Sequence, residues 1–169
     1  MATAAPPAGA TNGELIRWSF ERLNARDLET LRRFWNAETV ARFPQGAYRG
    51  TDAIAAYFAE ALASLPDWHM EVVALVEQGG DVFVHWHLTG THSGGPFQGI
   101  APSGRAIALD GMDHVVMRDG VVVTNFVVYD QMQFARQIGM LPHDGSRGDR
   151  AVKAAFNAKS RLLGRLRRR

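Results

Sequence analysis

Apolar residues along the chain repeat with two different periods, and the change of period divides it. Residues 14–35, ELIRWSFERLNARDLETLRRFW, place Leu15, Trp18, Leu23, Leu28, Leu31 and Phe34 at helical spacing. A break over Asn24 to Asp27 predicts two helices rather than one. Thr39 to Pro44 reads as a short strand before a turn at Gln45 and Gly46. Thr51 is the expected cap of a third helix, in which Ile54, Tyr57, Phe58, Ala61, Leu62 and Leu65 recur at three and four before Pro66 ends it.

Beyond Pro66 the period becomes two. Turns at Gly79-Gly80, Gly94-Gly95 and Asp119-Gly120 separate strands expected near 69–77, 81–92, 105–118 and 121–130. A two-residue Asp-Gly turn takes positive φ at both central positions, so Arg118 should pair with Val121. Carried onward, that register sets Met117 opposite Val122, Val115 opposite Thr124 and Asp113 opposite Phe126, with Val128 and Asp130 on the same face. The other face receives Arg118, Val116, His114 and Met112 against Val121, Val123, Asn125 and Val127. Two carboxylates on an otherwise apolar face need a reason. A short helix over Gln131 to Met140 closes at Gly139. After it, Val152, Ala155, Phe156, Leu163 and Leu166 form a stripe between arginines.

The pattern gives one α+β domain, N-terminal helices packed on a curved antiparallel sheet, over 14–140. A disordered leader rich in Ala, Pro, Gly and Thr is expected at 1–13 and a basic helical tail at 141–169. With 169 residues, 46% of them hydrophobic, one core is affordable and two would be undersized. The chain has no cysteine, which excludes disulfides, thiolate nucleophiles and cysteine-held metal centres. No stretch approaches the roughly 20 apolar residues that span a bilayer, and the N-terminus lacks a charged start followed by an apolar run, so a cytoplasmic protein is expected.

Charge alters the picture of the tail only. From Arg147 to Arg169 there are nine Lys or Arg and one acid, a net +8, whereas residues 1–146 carry ten bases and sixteen acids, a net −6. The tail reads as a solvated helix that aids solubility or docks on its own sheet, or as a contact for an acidic partner, an anionic membrane or nucleic acid. No nucleic-acid-reading motif accompanies it, and no nucleic-acid partner is expected.

Two segments carry a family likeness. HWHLTGTHSGGPFQGIAPSGR at 85–105 and GMDHVVMRDGVVVTNFVVYDQMQFARQIG at 111–139 resemble the SnoaL-like polyketide cyclases and the related ester cyclases, and the likeness extends over roughly 14–140. It implies the nuclear transport factor 2-like fold: a cone of three N-terminal helices and a strongly bent sheet around an apolar pocket, dimeric through the outer face of the sheet. It also implies ring closure by intramolecular aldol chemistry, with one aspartate as acid and base and no metal or cofactor. Asp130 matches that aspartate in its place at the end of the last strand.

The residues themselves support such chemistry. A carboxyl in a dry apolar cavity is hard to ionise, so its pKa rises toward neutrality and it can take and return a proton. Asp130 is the expected catalyst, with Asp113 or a histidine donating a hydrogen bond to the developing enolate. The plain alternatives are that Asp130 caps the helix at Gln131 and that Asp113 pairs with Arg105 or the loop from Pro102. His85, His87 and His92 imitate the first metal motif of cupins, and two histidines at i and i+2 on a strand can share a metal. The second motif, however, would need a histidine where Ile107 stands, so no metal is expected and His87 and His92 are read as pocket-lining. Trp35, Phe43, Trp86 and Phe126 are the ligand-facing aromatics, although aromatics at this spacing are mostly core. Arg42 is a possible anion anchor.

The expected function is a cofactor-independent cyclase or isomerase acting on a small apolar, polyketide-like carbonyl compound. Two alternatives stand: an epoxide hydrolase-like enzyme with paired carboxylates, and a non-catalytic small-molecule-binding module. A homodimer is expected through the face bearing Val116, Val121, Val123 and Val127.

Overall fold

The computed structural model describes residues 6–166, apart from the side chains of 165 and 166. Residues 1–5 of the leader and 167–169 of the tail lie outside them. Helix α1 spans Asn12–Asn24 and begins inside the segment read as leader. Thr11 and Glu14 close a reciprocal capping box there. The Glu77 carboxylate then accepts from the Thr11 hydroxyl (2.7 Å) and from the backbone N–H of Asn12 (3.1 Å) and Gly13 (2.9 Å). A carboxylate at a helix N-terminus satisfies orphan donors and the dipole together, and here it ties the helix to the sheet.

The break expected after Asn24 is present, and the second helix is a single turn, α2 (Leu28–Leu31), running into a 3₁₀ turn at Arg32–Phe34. Strands β1 (Val40–Phe43) and β2 (Gly46–Arg49) form a hairpin before α3 (Thr51–Ser64). The cap of α3 is Gly50, at φ 82°, and not Thr51. Its C-terminal end is held by Arg26, whose guanidinium donates to the carbonyls of Leu62, Leu65 and Pro66.

Strands β3 (His69–Gln78), β4 (Asp81–Thr91), β5 (Ala106–Arg118) and β6 (Val121–Tyr129) follow. With β1 and β2 they make one curved six-stranded sheet in the order β2-β1-β6-β5-β4-β3, antiparallel except where β1 runs parallel to β6. Helix α4 (Gln131–Gln137) returns against β5. There Gln137 bonds both backbone groups of Ala108, standing in for a missing strand. Helix α5 (Arg147–Leu166) follows a loop.

Register decides which residues meet the core. The turn at Asp119 (φ 51°) and Gly120 (φ 75°) pairs Arg118 with Val121 and Met117 with Val122, as expected. Val116 then pairs with Thr124, so Val123 is an extra residue in β6, a bulge. From there Val115 faces Asn125, His114 faces Phe126 and Asp113 faces Val127. One inserted residue turns every later side chain of β6 over. Asn125, Val127 and Tyr129 point inward with Asp113 and Val115, whereas Thr124, Phe126 and Val128 point out. The register inferred from the turn therefore fails beyond Val123.

Candidate active site

Between the helices and the inner face of the sheet lies a cavity of about 130 Å³. Its wall is largely apolar: Ile16, Phe20, Leu23 and Phe34 from the first helices, Phe43 from β1, Tyr57 and Phe58 from α3, and Leu88, Leu109 and Val127 from the sheet. Among the described residues that line it, one carboxylate is present, Asp113.

Asp113 is buried on β5 and accepts two hydrogen bonds, from Trp86 Nε1 (2.7 Å, on Oδ1) and Asn125 Nδ2 (2.9 Å, on Oδ2). Burial pushes its carboxyl up to about 6, while the bonds from Asn125 and Trp86 pull the other way. Each oxygen keeps a lone pair free. Trp86 reaches Asp113 because its cross-strand partner is Gly111: a Cβ there would lie 2.1 Å from the indole Cζ2. The glycine is needed for the passage of the ring across the strand.

A second polar group stands beside it. Tyr129, two residues beyond Val127 on the same face of β6, is hydrogen-bonded to Tyr57 and contacted by the Gln45 amide. Burial raises both hydroxyls, Tyr129 to about 12, so both stay protonated and able to donate. Two further buried polar atoms on lining residues have no partner among the described residues, Trp68 Nε1 and Asn125 Oδ1.

The expected site residues separate into two groups. Trp35, Phe43, Trp86 and Asp113 line the cavity. Asp130, expected as the acid and base, is exposed and caps α4, its Oδ1 accepting from Met132 N (2.8 Å) and Gln133 N (2.9 Å). The cap reading is the correct one for the geometry. Phe126, 53% exposed, lies on the outer face, and so does Arg42, its register partner on β1. His87 also faces out, with Nδ1 3.0 Å from Asp110, which His85 approaches at 3.5 Å. His92 has the opposite parity and points inward, fully buried near Phe134 but outside the cavity lining, its Nε2 without a partner among the described residues. The three histidines therefore do not converge, and no group of three possible ligands is placed to hold a metal among the described residues.

Sequence reasoning missed Asn125, Tyr129 and Gly111. The first two were hidden by the bulge, and the role of Gly111 exists only through its partner across the sheet.

The family profile of the SnoaL-like polyketide cyclases matches residues 14–138. The chain belongs to this family. This SnoaL-like protein resembles solved structures at the level of fold. One is a protein from Jannaschia sp. CCS1 described as a SnoaL-like polyketide cyclase, at 23% identity and TM-score 0.71 over 83% of this chain and all of that one. Another is AclR from Streptomyces galilaeus, described as a hydroxylase, at 21% identity and TM-score 0.67 over 91% and 92%. A third is IdmH from Streptomyces antibioticus, described as a polyketide cyclase, at 25% identity and TM-score 0.63 over 75% and 96%. No curated protein matches the SnoaL-like chain in sequence.

Proposed function

We propose that this SnoaL-like protein is a cofactor-independent cyclase or isomerase of small, largely apolar carbonyl compounds, with Asp113 rather than Asp130 as its acid and base. The observation that carries the reading is a buried carboxylate on the wall of an apolar cavity, anchored at both oxygens and raised to about 6. Such a group is ionised at neutral pH yet basic enough to remove a proton beside a carbonyl. The electron pair released moves to the carbonyl oxygen, and a neutral tyrosine hydroxyl of the Tyr57–Tyr129 pair stabilises it by donating a hydrogen bond. The carbanion carbon then attacks a second carbonyl of the same substrate, or is reprotonated at another position, and Asp113 returns the proton. The apolar wall excludes water and folds a flexible chain into a reactive shape.

The epoxide-opening alternative needs a second carboxylate or an arginine beside the first, and neither lines the cavity among the described residues. The direct test is deuterium exchange at the α-carbon of linear 1,3-diketones, followed by NMR. Wild-type protein should catalyse exchange, at a rate that rises with pH through about 6 and then levels, because only ionised Asp113 accepts the proton. A rate indifferent to pH between 5 and 8, or no exchange with any member of such a series, contradicts the reading.

We also retain the homodimer, on a different patch from the expected one. Val127 is buried on the cavity side, and the outer face instead exposes Phe83, Met112, Phe126 and Val128. Apolar area of this kind on one face favours a second copy. Light scattering at micromolar concentration should give twice the mass of the chain, and Phe126→Glu should return it to monomer.

A further inference from the structure

We propose that α5 is an anchor that lies on anionic membrane surfaces. Its 20 residues make a rod about 30 Å long, and every residue from Arg150 to Gly164 is exposed. Its side chains are nonetheless sorted. At 100° per residue, Ala151, Val152, Ala155, Phe156, Leu162 and Leu163 fall within an arc of about 140°, and Arg150, Lys153 and Arg161 lie opposite. Phe156 is 68% exposed and Leu162 60%. The acid in this stretch, Asp149, is turned inward to Gly145 N and paired with Lys153, so it does not oppose an anionic surface. Lys159 falls inside the apolar arc, where a long stem can lie along apolar surface while its ammonium reaches the headgroups.

Two features must be satisfied together, an apolar stripe and a +8 charge over 147–169. Nucleic acid would answer the charge and leave Phe156, Leu162 and Leu163 in water. A second copy of α5 would answer the stripe but meet equal charge, with Lys159 in the seam. An anionic bilayer answers both, since the apolar arc enters the acyl boundary while the basic arc faces the headgroups. The helix is not long and apolar enough to cross a membrane. The family match ends at residue 138, so this surface does not belong to the part of the chain that the family describes.

The test is flotation of the full chain with vesicles of phosphatidylcholine alone and of phosphatidylcholine mixed with phosphatidylglycerol. Binding is expected to the mixed vesicles only. Each basic residue near an anionic surface is worth about fivefold in partitioning, so Arg150→Gln with Arg161→Gln should weaken binding about 25-fold. Phe156→Gln with Leu163→Gln should abolish it, although this variant keeps every charge of the helix. Absence of flotation with the mixed vesicles overturns the proposal. Binding that survives Phe156→Gln with Leu163→Gln also overturns it, because a purely electrostatic contact is what nucleic acid or an acidic protein would make.

Discussion

Asp113→Asn is expected to lower turnover by about 10²–10⁴, the usual worth of a general acid or base, without loss of fold. Sterically the amide replaces the carboxylate atom for atom. The donors around it also have an answer: Trp86 Nε1–H still meets the amide oxygen, and Asn125, whose Oδ1 is unpartnered, can turn its amide to accept from the new NH₂. Stability should respond to pH in a way that identifies the group. Because the folded pKa lies above the ordinary 3.8, at about 6, the folded state holds its proton more tightly than the unfolded chain. This contribution is fully present below 3.8, is lost as pH rises through about 6, and stays lost above. The lost amount is about 3 kcal/mol at 1.36 kcal/mol per pH unit. Asp113→Asn removes that slope, so the variant should melt no lower than wild type at pH 7.5 while turning over far more slowly. If the variant melts well below wild type at pH 7.5, the carboxylate is a structural tie, and the acid–base role falls with it.

The location of the site was less legible than the fold. Elements announced themselves through short-range chemistry: Asp119-Gly120 fixed the last hairpin, Pro66 ended α3, and alternating Val82, Val84, Trp86 and Leu88 gave β4 its buried face. Asp113 was legible for the same reason, as an inward carboxylate on an apolar strand. Everything beyond Val123 depended on a bulge that the sequence does not mark. Val121, Val122 and Val123 are alike, so the run fits either register, and one residue of slip exchanged Asn125 for Phe126 and Tyr129 for Asp130. Asp130 drew attention because the family resemblance places an aspartate at the end of the last strand, which is also where the cap of the following helix belongs. A local motif can specify a cap, but it cannot say which way the strand before it faces. Arg42 and His87 were misplaced for a related reason, since alternation says which residues share a face and not which face encloses a cavity.

Gly111→Ala is expected to be as damaging to the fold as Asp113→Asn is to the chemistry. A methyl at Gly111 would sit 2.1 Å from Cζ2 and 2.2 Å from Cη2 of Trp86, both atoms of a rigid ring, against a strand that is paired on both sides. The indole must leave its place, and with it go the buried packing of Trp86 and the donor on Asp113 Oδ1. Overpacking of a core position costs typically 1–3 kcal/mol and truncation of a buried tryptophan 3–5, so a loss of about 3 kcal/mol in chemical denaturation is expected. Activity should change in a second, diagnostic way. The Trp86 bond holds the Asp113 pKa down against burial, so its loss raises that pKa further and moves the acid limb of the rate profile to higher pH. Trp86→Leu should produce the same upward move and its own loss of stability. In the double variant the leucine leaves room for the methyl, so Gly111→Ala should cost much less there than it does alone, and the two losses should fall short of their sum. Fully additive losses would mean that Gly111 matters for the backbone and not for the path of the indole, and Trp86 would then lose its place as the anchor of the Asp113 carboxylate.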